Sequence, residues 1–152
     1  AVGADFIRVN VHTGTMVTDQ GVLEGRARQT LLERNRLGVR VKIAADVLVK
    51  HAVPLGEPDL ADVARDTALR GLADVLIVTG SGTGRPHDPA RVRTVRQAVD
   101  RPVWVGSGVS PATFASFDAD GAIVGSCLHT DGDLDAPLDA ARVREMAGLL
   151  RG

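Results

Sequence analysis

The chain has 152 residues, 18 basic and 19 acidic, giving a formal net charge of −1, with only 3% aromatic residues. That length suits one domain with a sizeable core. The balanced charge and the lack of a basic stripe, aromatic platforms, zinc spacing or RGG tracts exclude nucleic acid as the expected partner. No apolar stretch approaches the roughly 20 residues of a transmembrane segment, no signal peptide is recognisable, and the single cysteine, Cys127, excludes an internal disulfide. A cytoplasmic globular protein is expected.

In chain order, apolar runs of strand length alternate with amphipathic stretches of helical length, the pattern of βα units on a parallel sheet. The first strand is predicted at 5–11 and the first helix at 19–37, ending before Gly38. A strand at 39–46 and a helix at 58–72 follow, with Gly71, like Gly38, placed for a left-handed cap. A strand at 74–79 precedes a helix at 89–99, whose start is signalled by Asp88-Pro89. The strand at 103–105, a helix at 111–116 opened by Ser110-Pro111, the strand at 121–124 and a helix at 138–150 complete the series.

Five βα units are too few for a closed (β/α)₈ barrel, which takes about 250 residues. They could instead form an open doubly wound sheet. The first strand decides between the two. Phe6, Arg8, Asn10 and His12 share one face and Ile7, Val9 and Val11 the other. A doubly wound sheet buries both faces under helices, whereas a barrel mouth gives Arg8-Asn10-His12 a polar interior. The expected fold is therefore a partial TIM barrel with a parallel sheet: residues 1–152 form a single domain holding strands 4–8 and lacking the first three.

In such a barrel the chemistry sits at the C-terminal ends of the strands. Two glycine-serine turns there, Gly106-Ser107-Gly108 and Gly125-Ser126, end adjacent strands with small side chains and open backbone N–H groups, as a phosphate site needs. Asn10 suits the orientation of substrate oxygens, and His12 suits proton transfer or, more plainly, a loop cap. Arg8, deeper, reads as a lumen ion pair or a substrate contact. Asp46, with Lys50 and His51 in the following loop, combines a carboxylate with two bases, suited to proton abstraction or, with the lysine, a Schiff base. The plain alternative is an ion pair bracing the loop, and Lys42 is expected to pair within the lumen, with Asp46 as its carboxylate. Thr79, Ser81 and Gly82 belong to a glycine-rich loop that offers hydroxyls and close backbone approach to a ligand. That loop is neither a P-loop nor a dinucleotide fingerprint. No histidine and carboxylate spacing matches a known metal site, and no residue pattern names a cofactor.

The segments Gly3-Ala4-Asp5-Phe6-Ile7-Arg8-Val9-Asn10-Val11-His12-Thr13-Gly14, Ala45-Asp46-Val47-Leu48-Val49-Lys50-His51-Ala52 and Ile77-Val78-Thr79-Gly80-Ser81-Gly82-Thr83-Gly84, with the two glycine-serine turns, resemble the BtpA/SgcQ family collinearly from residue 3 to about 145. The resemblance implies a ribulose-phosphate-binding-type barrel. It also implies relatives associated with photosystem I biogenesis or sugar metabolism, the former compatible with peripheral membrane association. Two functions follow as expectations. One is an enzyme on a phosphorylated small molecule, a sugar phosphate or nucleoside derivative, acting as a lyase, isomerase or glycosidic-bond enzyme. The other is a non-enzymatic assembly or stability factor. A third reading, an inactive fragment, predicts self-association or a partner over the exposed edge of the first strand.

Overall fold

A computed structural model describes residues 3–49, 51–80 and 88–149. The elements run β1 (Phe6–Val9), β2 (Thr15–Thr18), β3 (Gly21–Glu24), α1 (Ala27–Arg36), β4 (Lys42–Val47), β5 (Val53–Pro54), α2 (Leu60–Arg65, continued by a π-helical turn over Asp66–Arg70) and β6 (Val75–Thr79). They continue with α3 (Pro89–Ala98), β7 (Val103–Gly106), α4 (Pro111–Phe114), β8 (Gly121–Ile123), two 3₁₀ turns (Ser126–Leu128, Thr130–Gly132) and α5 (Ala140–Leu149). Five strands form one parallel sheet in the order β1-β4-β6-β7-β8, curled into a half-barrel, as a partial TIM barrel requires.

The sheet's two faces have different chemistry. Ile43, Ala45, Val47, Leu76, Val78, Val103 and Val105 point to the helix side and are buried against Ala64, Ala68, Val92, Val95 and Met146. The opposite, concave face carries Phe6, Arg8, Ala44, Asp46, Val75, Ile77, Thr79 and Trp104 in register. Its curvature is visible in the Phe6–Trp104 contact, edge-to-face with centroids 5.3 Å apart. These residues lie on β1 and β7, three strand spacings apart, about 14 Å in a flat sheet.

The predicted strands and helices appear, with one rearrangement. The stretch 19–26 is not helical: Thr15–Thr18 and Gly21–Glu24 pair as an antiparallel hairpin, to which β5 adds a third strand. Its two-residue turn is tied by Thr18, whose hydroxyl donates to the Gly21 carbonyl at 2.9 Å and accepts from the Gln20 N–H at 3.2 Å. Gly21 supplies a φ of 113°, which a helix would not tolerate. The helix begins only at Ala27.

Gly71 also differs from expectation. Its φ is −75°, and the left-handed residue is Leu72 at 52°. Glycine is needed at 71 for space: a Cβ there would lie 2.7 Å from the Thr67 carbonyl oxygen and 2.9 Å from the ring of His12. Gly38, by contrast, takes the left-handed cap at φ 63°. The Asp88 and Ser110 starts hold, with Asp88 accepting from the Ala90 N–H at 2.9 Å and the Ser110 N–H donating to Thr113 at 2.9 Å.

A repeated device locks the parallel strands at their starting ends. Asp74, just before β6, accepts from the Ile43 N–H of β4 at 3.0 Å and also from Lys42 (3.1 Å) and Arg34 (3.2 Å). Asp120, just before β8, accepts from the Val103 N–H of β7 at 2.8 Å and from Arg96 at 2.6 Å. Each carboxylate satisfies a strand-end donor and holds a cation from a neighbouring element. Lys42 therefore pairs with Asp74 and not with Asp46 as expected, because it lies two rows below Asp46.

Candidate functional site

The concave face becomes polar toward the strand ends, where Arg8 and Asp46 meet. Arg8 donates through Nη2 to both carboxylate oxygens of Asp46 at 3.0 and 3.1 Å, and through Nε to Oδ1 at 3.3 Å. The Asp46 side chain is wholly buried, while that of Arg8 keeps 38% exposure. Burial raises the Asp46 pKa above the ordinary carboxylate value by more than Arg8's charge and hydrogen bonds lower it. The result is a carboxyl group that holds a proton more readily than usual, beside a permanent cation.

Arg8 also lines a cleft of about 320 Å³ with Ser107, Gly108, Gly125 and Ser126. Parallel pairing of β7 and β8 puts the two glycine-serine turns side by side. Ser107 and Gly108 both take left-handed backbone conformations, φ 78° and 67°, which turn the chain away from β7 immediately after Gly106. Gly106 makes room for the arrangement: a Cβ there would sit 3.0 Å from Ile77, 3.3 Å from Thr79 and 3.8 Å from Nη2 of Arg8. Thr79 is 2% exposed, and its buried hydroxyl has no hydrogen-bond partner among the described residues. A compact cluster thus forms from Arg8, Asp46, Thr79 and the two turns.

Other predicted residues are elsewhere. Because β1 ends at Val9, Asn10 and His12 do not continue its inward alternation. Asn10 is exposed. His12 is 1% exposed and donates from Nε2 to the Gly71 carbonyl at 2.8 Å, lining a different cleft beside the π-helical turn. His51 is exposed in the turn after β4 and makes no hydrogen bond to Asp46, whose oxygens are taken by Arg8. Lys50, Ser81 and Gly82 lie outside the described residues. No group of three His, Cys, Asp or Glu side chains suited to a metal forms among the described residues, and no helix among them is long and apolar enough to cross a membrane.

Comparison with known proteins bears on this arrangement. The model of the BtpA family matches residues 1–152, the whole chain. The chain belongs to the BtpA family. It is 45% identical over 145 residues to the photosystem I biogenesis protein BtpA of Synechocystis, covering 93% of this chain and 50% of that protein. An uncharacterized protein of Thermococcus kodakarensis is 42% identical over 153 residues (99% of this chain, 58% of the relative), and SgcQ, an sgc region protein of Escherichia coli, 30% identical over 149 (95% and 55%). This BtpA-family chain therefore spans about half the length of the curated relatives it matches.

Sequence reasoning missed the direct Arg8–Asp46 pairing and the cleft-lining positions of Ile123 and Leu134. The first was within reach. Arg8 and Asp46 share the concave parity, and a buried carboxylate on a strand needs a cation within reach. Leu134 follows an irregular turn, for which periodicity carries no signal.

Proposed function

We propose that the concave cleft binds the phosphate of a small phosphorylated molecule, a sugar phosphate or nucleoside derivative, and that the protein acts on it by acid–base chemistry of the lyase, isomerase or glycosidic-bond type. The observation that carries this reading is the convergence of Arg8 on two adjacent glycine-serine turns in one cleft. A guanidinium fixed on one side by Asp46 presents its remaining edge as a preorganised oxyanion donor. Gly108 and Gly125 let the backbone approach the phosphate closely. Thr79, whose buried hydroxyl has no hydrogen-bond partner among the described residues, suits the orientation of substrate hydroxyls. Asp46 is the proton-transfer group: burial favours its protonated form, while Arg8 stabilises the carboxylate left after donation.

A second reading, an assembly factor in the sense of the Synechocystis protein's name, is favoured by one observation. The small sheet β3-β2-β5 exposes Val22 (62%) and Val53 (68%), and Leu55, just after β5, is 70% exposed. With Phe6 and Ile7, both exposed on β1 at the edge of the five-stranded sheet, these residues suit a protein partner or a second copy of the chain.

Thermal shift against inorganic phosphate, sugar phosphates and nucleotides tests the first reading. A ligand at a hundred times its dissociation constant adds about 2.7 kcal/mol of apparent stability. Ser107→Asp keeps a residue type that tolerates φ > 0, and Gly125→Asp enters open space, with nothing within 4 Å of its Cβ. Both should abolish the shift without unfolding the protein. A shift that survives both charges would refute the phosphate site; the absence of any shift in the unmodified protein would favour the assembly reading.

A further inference from the structure

The concave cleft has two kinds of lining. Arg8 and the glycine-serine turns supply donors, while Val109, Ile123, Val124 and Leu134 are aliphatic. Val109 and Val124 are anchored in the helix-side core, so a ligand meets chiefly Ile123 and Leu134. Ile123 is half-buried against the cluster of Ala44, Val75 and Ile77 on the concave face. Leu134 belongs to neither core cluster and is 66% exposed.

Its loop holds it in place. The base of the loop is closed by the Thr130 N–H donating to the Pro137 carbonyl at 3.2 Å and the Asp139 N–H to the Leu128 carbonyl at 2.8 Å. Nδ1 of His129 donates across it to the Ala136 carbonyl at 2.6 Å, and Arg142 of α5 donates to the His129 carbonyl at 2.8 Å. Asp133 and Asp135, both exposed, flank Leu134, and Asp133 accepts from the Asp135 N–H at 3.0 Å. Their charge repels a phosphate placed beside the loop. The anion is thereby kept on Arg8 and the turns, and the rest of the ligand falls against Leu134 and Ile123.

That wall selects by chemistry. Neither side chain can donate or accept, and each sugar hydroxyl stripped of water there without a partner costs free energy. A wholly aliphatic group fits poorly too, because an exposed leucine leaves the ligand's far side in water. A flat ring with an apolar face and a polar rim meets both conditions.

We infer that the ligand of this cleft is a nucleoside monophosphate, and that Leu134 sets the preference for a base over a bare sugar by covering one face of it with Ile123. This rests on the phosphate reading of the cleft and narrows it. Titration calorimetry compares ribose 5-phosphate with the 5′-monophosphates of adenosine, guanosine, cytidine and uridine, which share the phosphoribosyl group and add the base. At least one nucleotide should bind about tenfold tighter than ribose 5-phosphate. Leu134→Ala, a change at an exposed side chain, should weaken that nucleotide about fivefold and leave ribose 5-phosphate unchanged. Leu134→Met keeps an apolar cover and should keep the preference. Ser107→Asp should abolish binding of all of them. Ribose 5-phosphate binding as tightly as every nucleotide, or a preference undiminished in Leu134→Ala, would overturn the base assignment and leave the phosphate site standing. Failure of every compound to bind, or binding that Ser107→Asp does not weaken, would instead remove the phosphate reading and this inference with it.

Discussion

Replacing Arg8 by methionine isolates the electrostatics of the concave face, because methionine retains much of the aliphatic stem while removing the charge. Asp46 would remain fully buried with no cation. Removing one member of a buried pair costs about 3–5 kcal/mol. The 38% exposure of Arg8 puts this case at the lower end, about 3 kcal/mol at pH 7. For a protein of this size that loss corresponds to a fall in Tm of roughly 6–12 °C. The sign of its pH dependence is specific. Burial already raises the folded-state pKa of Asp46, and without Arg8 both lowering influences vanish, so it rises further. A raised carboxyl contributes fully below its unfolded value of 3.8 and loses that contribution as pH rises through the folded value. The difference between Arg8→Met and the unmodified protein should therefore be small at pH 3.5 and reach its full size by neutrality. Urea unfolding at both pH values measures it. Adding Asp46→Asn, which removes the stranded charge, should bring neutral-pH stability back to within about 1 kcal/mol of the unmodified protein. An equal loss at pH 3.5 and pH 7, or no rescue by the second substitution, would refute the argument that a buried carboxylate is being neutralised.

Other consequences are simpler to read. Gly25→Ala and Gly71→Ala press a Cβ to within 2.7 Å of main-chain atoms and should each cost about 2–3 kcal/mol in urea unfolding, whereas Gly125→Ala meets nothing and should stay within about 0.5 kcal/mol. For Asp74, burial raises the pKa, but the Ile43 N–H, Lys42 and Arg34 together hold it below the usual range. Its stabilisation is present above the unfolded value of 3.8 and lost as pH falls through the folded one. Asp74→Asn should accordingly flatten the acid limb of stability below pH 4, measured as the slope of the urea midpoint against pH. Leu76→Ala, in the wholly buried helix-side core, should cost about 2–5 kcal/mol by the same assay.

The strand series was legible because a parallel sheet buried under helices requires continuous apolar runs, and 74–79 and 103–105 have no other plausible use. The hairpin was not. Thr15-Met16-Val17-Thr18 and Gly21-Val22-Leu23-Glu24 alternate weakly, and their sheet leaves apolar residues exposed, so the usual contrast between buried and solvated faces is missing. The two glycine-serine turns were legible as composition, and their common cleft followed from strand adjacency. Arg8 and His12 were read as sharing a face because alternation was extended beyond the strand. The strand stops at Val9, and three further residues bring His12 against Gly71.

That stop separates two chemistries that the sequence presents as one motif. Had β1 continued through His12, the ring would lie on the face of Arg8 and Asp46, and a three-group acid–base site would follow. Instead Gly25 and Gly71, neither of which can accept a Cβ, draw the chain after Val9 toward the hairpin and the π-helical turn. The ring is held by a main-chain carbonyl 59 residues away, and its second nitrogen has no hydrogen-bond partner among the described residues. An unsatisfied buried nitrogen costs on the order of 1–3 kcal/mol, and a purely structural ring could avoid this by substitution with an apolar residue of similar size. Arg8–Asp46 has the same character: a buried ion pair is weak as a stabiliser, since well-packed apolar residues often do as well or better. The Arg8–Asp46 pair therefore combines polar groups that packing alone does not require with an adjacent open cleft, and stability by itself does not explain its presence.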